Sequence, residues 1–254
     1  MSDQPSDRVQ SVERAVAVLE FLARNGWSGV TDVGRELDVH KSTAFRLLNT
    51  LESRGLVERH VEGGKYRLGF GLVHLANAVT VGPDLTRQAQ AGCEWLAELS
   101  EETVTLSVLE GDESVTVDQI ISTSTVVTRS WLGRRTPLHC TSPGKVFLAS
   151  LPTSRRSGII AGRHERHTER TIVDPERLRE EVERVRVDGY ATAFEELEDG
   201  LSSAAAPIRG VDGSVVAAIG VSGPSYRLDA DRMREVVPLV CEAADRVSAG
   251  LGHL

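Results

Sequence analysis

The sequence predicts an α+β chain in two parts, and two observations carry that expectation. Up to about residue 69, three short amphipathic segments precede two short apolar runs split by Glu62-Gly63-Gly64, the pattern of a winged helix-turn-helix. Beyond Gly82-Pro83 the period changes. Alternating runs joined by tight turns are interleaved with helical segments, as in a largely antiparallel sheet flanked by helices.

Each element follows in order. Ser11–Arg24 places Val12, Ala15, Val16, Leu19 and Leu22 on one helical face, with Ser11 as N-cap and Asn25-Gly26 as the stop. A short helix opens at Thr31 and carries Val33 and Leu37, and a turn at Asp38–His40 leads into HKSTAFRLLNTLESRG, His40 to Gly55. In that stretch Ala44, Leu47, Leu48 and Leu51 form the apolar side, and Ser42, Arg46, Asn49 and Ser53 the polar one. Leu56–His60 and Lys65–Leu68 read as a hairpin. Gly69–Val79, with Leu72, Leu75 and Val79, reads as a connecting helix. The Gly82-Pro83 breaker then divides the chain into a winged helix-turn-helix over residues 8–69, a linker helix over 70–83 and a second domain over 84–254.

In the second part a helix is expected from Asp84 to Ser100, with Leu85, Leu96 and Leu99 inward. Thr103–Leu109 and Val115–Ile121 are strands joined at Glu110-Gly111-Asp112, and Val104, Leu106 and Val108 share one face. A helix runs from Thr141 to Ser150 and stops at Pro152. Another starts at Asp174-Pro175, a capping residue before a first-turn proline, and ends at Gly189 with Leu178, Val182 and Val185 buried. Strands follow at Tyr190–Phe194, Ala204–Ile208 and Ser214–Ser222, the last pair joined through Val211-Asp212-Gly213-Ser214. Asp229–Leu251 closes the chain as a long helix that Pro238 should kink or divide.

Composition narrows the function classes. With 40% hydrophobic and 26% charged residues the chain reads as soluble and globular. A net charge of −8 argues against coating nucleic acid or anionic membrane by bulk attraction. Contact with nucleic acid must therefore be local, and residues 39–67 carry six Lys/Arg against three acids. The N-terminal MSDQPSDRVQ lacks the apolar core of a signal peptide, and Val215–Val221 is too short to span a bilayer, so a cytoplasmic protein without membrane attachment is expected. Cys93, Cys140 and Cys241 are odd in number and far apart, which suits a reducing compartment and favours neither disulfides nor zinc.

The polar side of His40–Gly55 alone could be a solvated face. Its context, a short helix before it and a Gly-Gly wing after it, is what a major-groove reader needs. His40, Lys41, Ser42 and Thr43 stand at the helix start, where N–H groups and hydroxyls reach phosphates. Arg46 and Asn49 lie further along, Arg46 within reach of a guanine edge, while Lys65 and Arg67 on the hairpin would grip flanking backbone.

These residues carry a resemblance. SVERAVAVL (Ser11–Leu19), HKSTAFRLLNTL (His40–Leu51), GLVE (Gly55–Glu58) and GKYRLG (Gly64–Gly69) resemble the DNA-binding half of IclR-type bacterial transcriptional regulators. PLH (Pro137–His139), GKVFLA (Gly144–Ala149), TI (Thr171–Ile172), VRVDGY (Val185–Tyr190), EELEDG (Glu195–Gly200), AAPI (Ala205–Ile208) and VVAAIGVSGP (Val215–Pro224) continue it in family order through nearly the whole chain. The resemblance implies a GAF-like α+β effector domain after the linker helix, dimers commonly paired into tetramers, and a ligand that shifts DNA binding. A two-fold dimer would set its two His40–Gly55 helices in successive major grooves of a palindromic operator. Repression of catabolic genes is expected rather than activation.

The resemblance also implies an effector pocket from Ser142, Pro143 and Gly144 before the Gly-Lys helix, Ala193, Ser203, and Gly220 and Ser222 on the final strand. Here the helix N-terminus could receive a carboxylate, the serines could donate hydrogen bonds, and Leu138 and Val146 could form apolar wall. Each small residue also has a packing reading, sheet against helix. Family members that sense small 2-oxo acids have Asp where Ala193 stands, Cys at Ser203 and Ser at Gly220. The expected effector is therefore a bulkier, more apolar organic acid, aromatic in one version.

Other chemistry reads poorly. His139 and Cys140 are neighbours, so on a strand they would point to opposite faces. His164 and His167 in RHERH have metal-pair spacing within a segment that reads as charged and solvated. Glu195, Glu196, Glu198 and Asp199 could be acid/base groups, but Glu195 or Glu196 reads better as a tie for the loop. No catalytic residue, metal or cofactor is expected. The two rival readings are a constitutive DNA-binding protein whose second domain only oligomerises, and an enzyme using His139, Cys140 and Glu195.

Overall fold

The computed structural model describes residues 9–60, 63–77, 83–121 and 130–253, in two compact units that divide between Pro83 and Asp84. Arg8, Glu62 of the wing turn, Val79 of the connecting helix, Gly82 of the breaker and the terminal Leu254 lie outside the described residues.

In the first unit, α1 (Gln10–Asn25), α2 (Val30–Glu36) and α3 (Lys41–Ser53) enclose one core with β2 (Val57–Arg59) and β3 (Lys65–Leu68). Val18, Phe21, Leu22, Val33, Ala44, Leu48, Val57 and Tyr66 fill it. Two expectations for α1 fail. The helix begins at Gln10 after Val9, with no side-chain cap, so Ser11 is inside it. Val12 and Val16 are also exposed, because the core lies on the side of Val18 and Leu22. The second helix starts one residue early, with the Gly29 N–H donating to Asp32 Oδ2 at 3.1 Å.

The hairpin is antiparallel, Glu58 opposite Arg67. A two-residue strand, β1 (Ser28–Gly29), extends it by pairing with Tyr66 and Lys65 of β3. No periodicity could signal so short a strand. Gly64 has φ +58°, which lets the wing turn into β3 without Cβ strain. The connecting helix is described as α4, Gly71–Asn77.

The second unit opens with α5 (Pro83–Ser100), whose Leu96 is buried but whose Leu99 is 46% exposed, against expectation. Among the described residues six antiparallel strands make one sheet: β4 (Thr103–Glu110), β5 (Glu113–Ile120), β6 (Arg135–Pro137), β7 (Ala191–Phe194), β8 (Leu201–Arg209) and β9 (Val215–Pro224), in the order β6-β5-β4-β9-β8-β7. The three-residue β6 is too short for a sequence pattern, and β8 begins three residues before the expected Ala204.

Both faces of the sheet are covered. Helices α5 and α9 (Ala230–Gly250) pack on Val104, Leu106, Ala204, Ala206 and Ile219. Residues of α6 (Ser142–Ser150) and α8 (Pro175–Asp188) share a core with Ala191, Ala205 and Ala218. Alternate alanines thus feed opposite faces, and their small side chains bring helices close to the strands on both. Helix α7 (Thr153–Ile160), unforeseen, buries Ile160 in the second cluster. Asp174 caps α8 by accepting from the Arg177 N–H at 2.9 Å, and Gly189 ends it with φ +79°. Pro238 does not divide α9, which runs unbroken for 21 residues. At the far end of β9, Arg227 forms a bidentate pair with Glu102, which is 1% exposed.

Candidate nucleic-acid interface and ligand cleft

Helix α3 buries Ala44, Leu48 and Leu51 and leaves Lys41, Ser42, Phe45, Arg46, Asn49 and Thr50 exposed. The exposed side is not uniformly polar, since Phe45 is 40% exposed beside Arg46. A flat apolar group there can meet a thymine methyl. Its sequence signal is an aromatic out of register with the apolar side of the helix.

The helix start is self-capped. His40 Nδ1 accepts from the Ser42 N–H at 3.3 Å and from the Ser42 hydroxyl at 2.8 Å. The Thr43 N–H is bonded to His40 O at 2.8 Å. His40 is therefore the cap, and the Ser42 hydroxyl hydrogen is spent on it, which leaves that side chain no donor for an anion. Lys41 and Arg46 remain the exposed cations of this helix.

On the wing, Lys65 is exposed, whereas Arg67 is held twice. Its guanidinium lies 4.7 Å over the Trp27 ring and is paired with Glu58. The Trp27 ring in turn meets His60 edge-on at 5.2 Å. Arg67 thus braces the hairpin and is less available to a phosphate than Lys65.

In the second unit a small cleft, partly open to solvent, lies between the sheet and the start of α6. Thr105 and Ser107 of β4, Thr116 of β5 and Thr136 of β6 line it from the sheet, joined by Ser203 of β8 and Ser222 of β9. Thr141, Ser142 and Pro143 line it from the helix, and Trp131, Leu197, Leu201 and Val221 supply apolar wall. Ser142 Oγ donates to Ser203 Oγ at 2.9 Å, tying helix to sheet across it. The Ser107 hydroxyl is buried there without a hydrogen-bond partner among the described residues.

Of the residues expected to form the pocket, Ser142, Pro143, Ser203 and Ser222 are brought together. Leu138, Gly144, Ala193 and Gly220 are not in its wall. Leu138 is core, and Ala193 is buried opposite Ser203 in the β7–β8 ladder. A Cβ on Gly144 would lie 2.5 Å from Thr141 Oγ1, and one on Gly220 would lie 2.5 Å from Ala204 O. Both glycines are close-packing positions. Val146 is also core, beside a separate cleft on the α8 side.

The start of α6 has little left for a carboxylate. Thr141 Oγ1 accepts from the Gly144 N–H at 3.1 Å and Pro143 has no N–H, so Ser142 keeps the one N–H without a partner among the described residues. Sequence spacing missed the strand threonines and Trp131, whose ring carries the Arg134 guanidinium at 4.6 Å.

Behind the cleft, Lys145 is wholly buried and donates to Glu196 Oε1 at 2.6 Å, Thr192 O at 2.9 Å and Glu181 Oε1 at 3.0 Å. Burial holds the Glu196 carboxyl above the usual carboxylate range, partly offset by Lys145. This network ties α6, α8 and the segment after β7, the role expected of Glu195 or Glu196. Glu195 itself lies 3.6 Å from Arg170.

Comparisons with known proteins match these two units. The family model described as IclR helix-turn-helix domain matches residues 11–60, and that described as bacterial transcriptional regulator IclR C-terminal matches residues 77–249. The chain is 33% identical over 252 residues to the HTH-type transcriptional regulator KdgR of Escherichia coli (strain K12), covering 99% of this chain and 96% of that one. It is 36% identical over 245 residues to the HTH-type transcriptional repressor AllR of Salmonella typhi, covering 96% and 90%. Among solved structures, the Thermotoga maritima IclR superposes with a TM-score of 0.82 at 26% identity, covering 97% of this chain and all of that one. An IclR homolog from Microbacterium hydrocarbonoxydans, complexed with 4-hydroxybenzoate, gives 0.81 at 27% identity, covering 96% and 99%.

Proposed function

We propose, from the premise that this chain belongs to the IclR family of bacterial transcriptional regulators, that it represses catabolic genes by a DNA contact that an organic acid controls. The observation that carries this is the presence in one chain of a winged helix with an exposed Lys41–Asn49 face and a separate hydroxyl-lined cleft. An AllR relative is named a repressor, which supports repression over activation.

The cleft supports an aromatic acid. Trp131, Leu197, Leu201 and Val221 suit a flat apolar ring, and the surrounding hydroxyls suit phenol or carboxylate oxygens. A homologue complexed with 4-hydroxybenzoate fits the same chemistry. Lys41, Arg46, Asn49 and Lys65 would contact DNA, with Phe45 against a thymine methyl. His40, Ser42 and Thr43 would order the helix start, and Arg67 would hold the wing in shape.

A homodimer, paired further into a tetramer, is supported by the exposed Val12 and Val16 on α1 and the exposed Val9 just before it. Two copies would present two α3 helices to a palindromic operator, and ligand would bias their spacing. A cytoplasmic location suits three free cysteines, and no described helix is long and apolar enough to cross a membrane. Against catalysis, burial pushes the Cys140 thiol up to about 12, so it is a poor nucleophile without further help.

Calorimetric titration of the full chain with 4-hydroxybenzoate, pyruvate and glyoxylate, alongside operator footprinting with and without each, tests the reading. Aromatic acid binding that changes the footprint is expected. Tight binding of the two- or three-carbon oxo acids alone would overturn the ligand assignment, and the absence of any footprint would overturn the DNA assignment.

A further inference from the structure

His139 and Cys140 stand in the loop between β6 and α6, not on a strand, so their side chains are free to share one side. The structure brings them to the RHERH segment. One donor atom from each of His139, Cys140 and His167 lies within 4.8 Å of the other two. His164 adds a ring 4.6 Å from that of His139. We propose that His139, Cys140 and His167 bind one divalent cation of the zinc class, clamping the loop before α6 to the segment between α7 and α8.

The donor set fits. Two imidazoles and a thiolate suit a borderline-soft cation and not magnesium or calcium. The His139 Nε2–H donates to Glu165 O at 3.0 Å, which leaves the Nδ1 lone pair for a metal and orients the ring. A backbone carbonyl on the second ring nitrogen is the support that metal-binding histidines commonly have. His139 is buried, so its ring is held in one place by the loop around it. The opposite segment is also fixed, because Thr168 and Thr171 donate to Glu195 O and Glu196 O at 2.6 and 2.7 Å.

Tetrahedral bonds of about 2.0 Å to nitrogen and 2.3 Å to sulfur place ligand atoms roughly 3.3–3.6 Å apart, so the cluster closes by about 1 Å. Cys140 and His139 are at most 4% exposed, while His167 is exposed and gives the cation an entry side and a fourth position for water. Binding forms a metal–sulfur bond, and the Cys140 S–H proton leaves to solvent. The clamp would also steady Thr141, Ser142 and Pro143, which line the cleft immediately downstream.

Cobalt(II) titration of the chelator-treated full chain tests the proposal. A thiolate-to-cobalt charge-transfer band is expected in the near ultraviolet, saturating at one ion per chain. Cys140→Ser should abolish the band, and His167→Ala should weaken binding by on the order of 10–100-fold with the far-ultraviolet circular dichroism unchanged. His167 is exposed, so that variant remains informative if Cys140→Ser fails to fold. No band in the wild type, a band that survives Cys140→Ser, or wild-type affinity in His167→Ala would each overturn it.

Discussion

Lys145 Nζ lies 2.6 Å from Glu196 Oε1, inside a unit where the lysine side chain has no exposed surface. The same ammonium also holds Glu181, so one cation serves two buried carboxylates. Removing the cation should be far worse than removing one acid. Lys145→Met is expected to cost about 3–5 kcal/mol in urea unfolding, because it leaves the buried Glu196 without its cation, whereas Glu181 keeps Arg184. Glu196→Gln keeps an acceptor for Lys145 and should cost about 1 kcal/mol or less.

The same pair gives a pH signature. The folded state raises the Glu196 pKa, so it binds that proton more tightly than the unfolded chain does. The resulting stability is complete below the ordinary carboxylate pKa and is lost as pH rises through the raised folded value. The wild type should therefore gain stability over Glu196→Gln as pH falls across that window. Melting curves of both proteins at matched pH check the sign, and parallel profiles would contradict it.

On the DNA side, Arg46→Ala should cost roughly 1–3 kcal/mol and relax discrimination at one operator position. Lys65→Ala should weaken binding about evenly across sequences and lower the salt slope by about 1. Arg67→Ala should change that slope less, because Trp27 and Glu58 already hold its guanidinium. Footprinting and filter binding across a salt series separate the three.

In the cleft, Trp131→Ala should reduce affinity for an aromatic acid about tenfold while leaving ligand-free operator binding intact. Equal loss for pyruvate would show that the ring acts on the fold of the wall and not on the ligand. Calorimetry with both acids reads the difference.

Gly220→Ser introduces a Cβ that would lie 2.5 Å from Ala204 O, at the centre of the β8–β9 ladder. The strands must part locally, and a loss of about 1–3 kcal/mol is expected from thermal unfolding. Stability equal to the wild type would show that this ladder yields more easily than its packing implies.

Helices were legible where they carried their own punctuation, which α7 did not. Asp174-Pro175 and Gly189 bound α8 by cap, first-turn proline and positive φ, all local effects. Strands of two and three residues, β1 and β6, were too short to repeat an alternation and left no pattern to read. The resemblance placed Ser142, Ser203 and Ser222 around one cleft, yet it grouped with them Gly144 and Gly220, whose smallness serves backbone contact. Trp131 and the strand threonines escaped because a cleft wall is drawn from five strands at once, and no sequence window spans them. The His139–Cys140–His167 cluster escaped for the same reason: neither half is a motif alone.

The sheet order has a consequence for how the second unit is made. Its central pair joins β4 to β9, so Thr103 lies against Ser222 across most of the unit's length. Until β9 has left the ribosome, β4 and β5 form a hairpin with one open edge, ready to pair with a neighbouring chain. Closure of so long a loop also makes folding slow. A chain interrupted before Val215 would thus lack a middle strand, not a tail, and should aggregate during synthesis.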